Sequence, residues 1–253
     1  PDVREPRVGR WRRLGARGGA LCVGDTWPMT AGSLTDRLVE AVLADPVCAG
    51  ILGRLPALGL PDWWLTAGAV FQNVWNSLSG RPPGEGIKDY DVFYCDGDDL
   101  SWEAEDRVIR EVTSVCADLD ATIEVRNQAR VHLWYEAKFG VAAAPFVSAR
   151  DAIDAFAATT CCVGVTARDG QLTVYAPHGL TDVFEMRLRP NPRLAPRAVY
   201  EAKAADYQRR WPAVSADPWP LEVAELRARR EHLPAVDSAG LRADLDALVD
   251  PRV

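Results

Sequence analysis

A mixed α/β fold, with strands and helices alternating along the chain, is predicted by three observations. Short β-prone runs at 63–67, 90–95, 121–126, 161–166 and 171–175 are separated by amphipathic stretches of helical period. Glycine, proline and Asp-Gly signals punctuate the joints. The 253 residues are 48% hydrophobic, enough for a sizeable core.

The first helix is expected after Ser33, an N-cap type followed by Leu34, Leu38, Val39 and Val42 on one face. Asp45-Pro46 then opens a second short helix. Residues 63–67 form an apolar, β-prone run ending at Gly68, and 69–78 read as a helix with Phe71, Val74, Trp75 and Leu78 on one face. Ala69, Asn73 and Asn76 fall on another. The Gly- and Pro-rich run 80–86 is a loop, and the strand over 90–95 carries Asp89 and Asp91 at its start.

Ser101 caps the next predicted helix, whose first turn is acidic and which buries Ile109, Val112, Cys116 and Leu119. In the strand at 121–126, Ile123 and Val125 alternate with Glu124 and Arg126, so the two charged residues share the opposite face. A helix over 128–139 stops at Gly140, and Ser148 caps one over 149–156. Asp169-Gly170 between two β-prone runs predicts a two-residue hairpin. A helix over 199–210 follows.

Four stretches emerge. Residues 1–28 are Arg-, Gly- and Pro-rich without apolar periodicity, ahead of the first Met, Met29, and read as a disordered extension. Residues 29–145 hold the core, 146–220 a C-terminal α/β extension of the same globular unit, and 221–253 a charged helical tail. With no apolar run of about 20 residues and no export signal, a soluble cytoplasmic protein is expected. The six cysteines show no C-x-x-C spacing and read as reduced, structural thiols. The net charge of -7, with six Arg against three acids in the first 28 residues, leaves an acidic body. That argues against a broad nucleic-acid-binding face and leaves room for nucleotides or small acceptors at a local site.

The chemistry lies in the acids. Asp-x-Asp in a strand sends both carboxylates to one face, about 7 Å apart along the chain. A third acid on an adjacent strand, Glu124, would complete an oxygen-rich site for Mg²⁺. Either feature alone is more often a solvated strand end, so order and context carry the reading: a strand-glycine-helix unit, two acids on one strand, one acid on a later strand.

That succession, in Ala67-Gly68-Ala69, Asp89-Tyr90-Asp91-Val92 and Ile123-Glu124-Val125, resembles the polymerase-β-like nucleotidyltransferases. The longer segments 67–76, 86–94 and 124–135 resemble a bacterial nucleotidyltransferase-like family of unassigned substrate, and the resemblance extends over about 35–220. It implies a mixed sheet flanked by helices and transfer of a nucleotidyl group from an NTP to an acceptor hydroxyl, with release of pyrophosphate. It further implies Mg²⁺ or Mn²⁺ held by Asp89, Asp91 and Glu124, with Glu124 beside the acceptor. Gly68 would admit the triphosphate to the start of the following helix, as helix N-termini suit phosphate.

One departure concerns Ala69, where many members of the superfamily carry Ser or Gly; a side-chain hydroxyl contact to phosphate is absent and only a backbone contact remains. Arg126 suits a triphosphate or acceptor contact, or an ion pair with a nearby acid. Asn73 is a nucleotide-facing candidate on the helix after Gly68. Two other readings stand beside this one: a nucleotide-binding or regulatory protein on the same fold without turnover, and a nucleotide-sugar glycosyltransferase using its D-x-D motif. The latter would need a larger nucleotide-binding half before the acids.

Overall fold

The computed structural model describes residues 32–220; the expected extension at 1–28 and tail at 221–253 lie outside these. Ser33 caps α1 (Leu34–Ala44) in a reciprocal capping box with Asp36, and Asp45 caps α2 (Pro46–Arg54), as their sequences require. The strand-helix unit follows as β1 (Trp64–Thr66) and α3 (Gly68–Leu78), then β2 (Tyr90–Tyr94), α4 (Trp102–Val115) and β3 (Ile123–Asn127).

Five strands form one mixed sheet, in the order β3-β2-β1-β4-β5, where β4 is Gly164–Arg168 and β5 Gln171–Tyr175. The hairpin turns on Asp169 and Gly170, both at positive φ, the conformation that a two-residue loop needs. The C-terminal hairpin therefore extends the sheet itself, because β4 pairs antiparallel with β1. β1 also pairs antiparallel with β2, whereas β2 and β3 run parallel, joined by the α4 crossover.

Strand alternation sorts β2 into two faces. Tyr90, Val92 and Tyr94 are buried on one, and Asp91 and Phe93 are half-buried on the other. On the first face the Tyr90 hydroxyl donates to Asp45 at the start of α2, at 2.9 Å. Asp45 also accepts from Asn73 of α3 at 3.0 Å, so a single buried carboxylate ties α2, α3 and β2 together.

Three predicted elements differ. The helix expected over 128–139 is a 3-10 turn at Gln128–Leu133 and a short α5 (Tyr135–Phe139), broken at Trp134, whose φ of -130° is not helical. Asn127 caps the first piece while bonding Asp96 through both its side-chain oxygen and nitrogen, so the end of β3 is fastened to the end of β2. The helix expected over 149–156 is the shorter α6 (Ala149–Ile153). Cys161 lies in a 3-10 turn ahead of β4 rather than in the strand. The five described cysteines, Cys48, Cys95, Cys116, Cys161 and Cys162, are free thiols, and all but Cys95 are buried.

A short α7 (Thr181–Phe184) leads to β6 (Arg187–Leu188), which pairs with β7 (Ser215–Ala216) across α8 (Arg197–Arg210). The last turn of α8 is clamped to α3 by aromatic side chains. Tyr207 meets Phe71 and Trp75 edge-on with ring centroids 5.5 and 5.6 Å away, and Trp211 meets Trp75 at 5.5 Å. The Trp211 indole donates to Asn76 at 3.0 Å. Among the described residues no helix is long and apolar enough to cross a membrane.

Candidate active site

The second face of β2 opens into a cavity of about 340 Å³. Its sheet wall carries Asp89, Asp91 and Phe93 from β2 and its approach, and Glu124 and Arg126 from β3. Parallel pairing sets Asp91 opposite Glu124 and Phe93 opposite Arg126, so each pair leaves the sheet on the same side, with backbones about 4.8 Å apart. Ala67 and Gly68 line the cavity where β1 passes into α3.

That passage is unusual. The turn is made by Ala67, at φ 53° and ψ -126°, while Gly68 is already the first residue of the helix. Positive φ on an alanine costs on the order of 1–3 kcal/mol, and here the surroundings hold it: the Ala67 N–H donates to the Val163 carbonyl at 3.1 Å, and its own carbonyl starts α3. An added Cβ at 68 would lie 2.5 Å from the nitrogen at the end of the Gln72 side chain, so a larger residue there would displace that amide.

Facing the sheet wall, α8 presents Val199, Lys203 and Tyr207, spaced at i, i+4 and i+8, to the same cavity. Lys203 is exposed and has no ion-pair partner among the described residues. The Tyr207 hydroxyl, buried beside Cys161, is pushed well above its ordinary value by burial. Beyond the acids the lining becomes apolar and aromatic, with Phe93 stacked on Phe156 at 5.4 Å, and Trp134, Tyr135 and Phe139 across from them.

Asp91 is the electrostatic centre. Burial first, and then the charges of Asp89 and Glu124, raise its carboxyl to about 7 against the pull of Lys203 and Arg126. This is the balance of a carboxylate short of positive charge. Among the described residues, no three acidic, histidine or cysteine side chains already surround one point that an ion could occupy. The acids share a wall, with the exposed Glu124 in register beside Asp91.

The other residues singled out in the sequence divide. Gly68 and Arg126 line the cavity; Ala69 and Asn73 do not. Ala69 is wholly buried, with its carbonyl accepting from Asn73 at 2.9 Å. Asn73 is 2% exposed, donates to Asp45 and accepts from the Gly84 N–H at 2.8 Å, so its amide is spent on the fold, away from the cavity. Asn76 is equally committed, to Trp211 and the Glu85 carbonyl. Arg130 is paired with Glu105, which also accepts from the Asn127 N–H. Lys88 pairs with Asp206 of α8 at 3.4 Å.

Lys203 and Gln72 are among the cavity residues that were not singled out from the sequence. Lys203 stands almost eighty residues beyond Glu124 in a helix whose charge pattern marks no inner face, so only the fold brings it in. Gln72, by contrast, lies one helical turn after Gly68, a spacing that places both on one side of α3.

Comparison with known proteins bears on the family and the fold. A family described as nucleotidyltransferase matches residues 53–216. A solved structure described as "The NMR structure of the protein reveals a CCA-adding enzyme head domain" is similar, with a TM-score of 0.59 and 25% identity, over 72% of this chain and 95% of that one. No curated protein matches the chain at a significant level. With the family match spanning more than half its length, the chain belongs to the nucleotidyltransferase family and has the polymerase-β-like nucleotidyltransferase fold.

Proposed function

We propose that the protein transfers a nucleotidyl group from an NTP to an acceptor hydroxyl, using divalent metal at Asp89, Asp91 and Glu124. The observation that carries this reading is the placement of those three acids on one cavity wall, with Asp91 and Glu124 in register, beside the start of α3. All-oxygen carboxylate donors suit Mg²⁺ or Mn²⁺, and the raised Asp91 carboxyl is that of a site lacking cationic charge. Bound ions there supply charge neutralisation on the phosphates and on the attacking oxygen.

The chain's own groups take the remaining roles. The acceptor oxygen attacks the α-phosphorus, the bond from that phosphorus to the pyrophosphate oxygen breaks, and the hydroxyl proton is lost to the medium. Glu124, as the family resemblance implies, takes the side of the acceptor. At Gly68 the start of α3 carries no side chain of its own, and the unpaired N–H groups of the first turn are available to phosphate. Arg126 and Lys203 offset triphosphate charge from opposite sides of the cavity. The aromatic lining past Phe93 excludes water from the reacting end.

The reading is tested by incubating the protein with Mg²⁺ and each of the four NTPs, following pyrophosphate release and label transfer to fractionated cell extract. Release that depends on an extract fraction supports transfer and leads to the acceptor. Binding of NTP without release or transfer would favour a nucleotide-binding protein without turnover.

A further inference from the structure

Gln72 folds back over the first residue of its own helix. It is 6% exposed, it lines the cavity together with Gly68, and its Nε2 occupies the space that a side chain at 68 would need. Its Oε1 accepts from Nη1 of Arg210 at 3.1 Å. Arginine only donates, so the oxygen must face it and the amide nitrogen must take the opposite side. Arg210 is itself fixed, since the same Nη1 donates to the Gly86 carbonyl at 3.0 Å and the guanidinium pairs with Asp206 at 2.8 Å. It also lies over the Trp211 ring at 4.6 Å.

The outcome is an amide group locked in orientation with Nε2 at the cavity and no hydrogen-bond partner for it among the described residues. Nε2 is not one of the described side-chain atoms that are both sealed from solvent and unpartnered, so this donor is reachable from the cavity. An anion seated at the start of α3 would receive both that N–H₂ group and the backbone N–H groups of the helix.

We propose that Gln72 Nε2 is a phosphate-binding donor of this site, supplying the side-chain contact that Ala69, wholly buried and without a hydroxyl, does not make. The inference rests on the nucleotidyl-transfer reading and names the residue that recognises the polyphosphate. It also accounts for Gly68, because a Cβ there would drive the amide out of place. Arg210 is the positioning residue behind it.

The test uses the full chain with Mg²⁺ and two probes, inorganic tripolyphosphate and an equimolar mixture of the four NTPs, with affinity read by calorimetry. Gln72→Met removes the donors at similar volume. Gln72→Glu keeps a partner for Arg210 and so retains the fold, while presenting only acceptors to phosphate. At least tenfold weaker binding of both probes is expected in each variant, with the melting temperature of Gln72→Glu held at the wild-type value. In the wild type, the Gln72 side-chain amide resonances should shift on adding tripolyphosphate, which a purely structural glutamine would not show. Unchanged affinity in Gln72→Glu with unmoved amide resonances overturns the role of Gln72 and leaves the nucleotidyl reading intact. A wild type that binds neither probe overturns both.

Discussion

Asp91 and Glu124 are register partners on neighbouring parallel strands, so two carboxylates leave the sheet side by side into one cavity. Burial first, and then the charges of Asp89 and Glu124, raise the carboxyl of the half-buried Asp91. Folding such a pair onto the same face is a cost to stability that a bound cation would offset.

The pH dependence of stability follows. Asp91 binds its proton near 3.8 when unfolded, and its folded value is raised to about 7. A raised value means that the contribution is fully present below about pH 4 and is lost as pH rises through 7, on the order of 1–3 kcal/mol. Metal-free protein should therefore lose melting temperature between pH 4 and 8 from this group. Thermal melts across that range should show the loss in the wild type and a flatter profile in Asp91→Asn. An equal slope in both would remove Asp91 as its source.

Lys203 should matter to ligand and little to fold. It is exposed, reaches the cavity from α8 and draws the Asp91 carboxyl downward. Lys203→Met is expected to change stability by less than about 0.5 kcal/mol. It should also weaken tripolyphosphate binding roughly tenfold, as measured by calorimetry at low salt.

Asn73 should behave in the opposite way. Its amide joins Asp45, the Ala69 carbonyl and the Gly84 N–H inside the core, so Asn73→Ala leaves several buried groups unpaired. A loss of about 2–4 kcal/mol is expected in denaturant melts, with the Mg²⁺·NTP thermal shift retained. A stable variant that no longer binds NTP would return Asn73 to the nucleotide site.

Much of the sheet and its acids was legible because period and punctuation agree. Ser33, Asp45 and Ser101 cap the helices expected of them, and the alternation around Asp91 and Glu124 sets their faces. What the sequence hides is contact between distant segments. Asn73 has the look of a solvated helix amide until Asp45, from the N-cap of α2, is seen to meet it. The break at Trp134 has no glycine or proline to mark it, and helical period runs on through it. Lys203 reaches the acids only because Tyr207 and Trp211 pack on Phe71 and Trp75. Arg210, which sets the amide of Gln72, is 138 residues away from it.

The most direct measurement is pyrophosphate release by the wild type and by Asp91→Asn, each with the four NTPs and acceptor-containing extract, with and without Mg²⁺, beside their melting temperatures. Asp91→Asn keeps the shape of the side chain and removes the charge that would hold the ion. Mg²⁺-dependent release by the wild type alone is expected. So is a rise in melting temperature with Mg²⁺ and NTP that is much smaller in the variant, whose metal-free stability should match or exceed the wild type's. A variant that releases pyrophosphate as fast as the wild type, with the same Mg²⁺-dependent rise in melting temperature, would contradict the three-acid site.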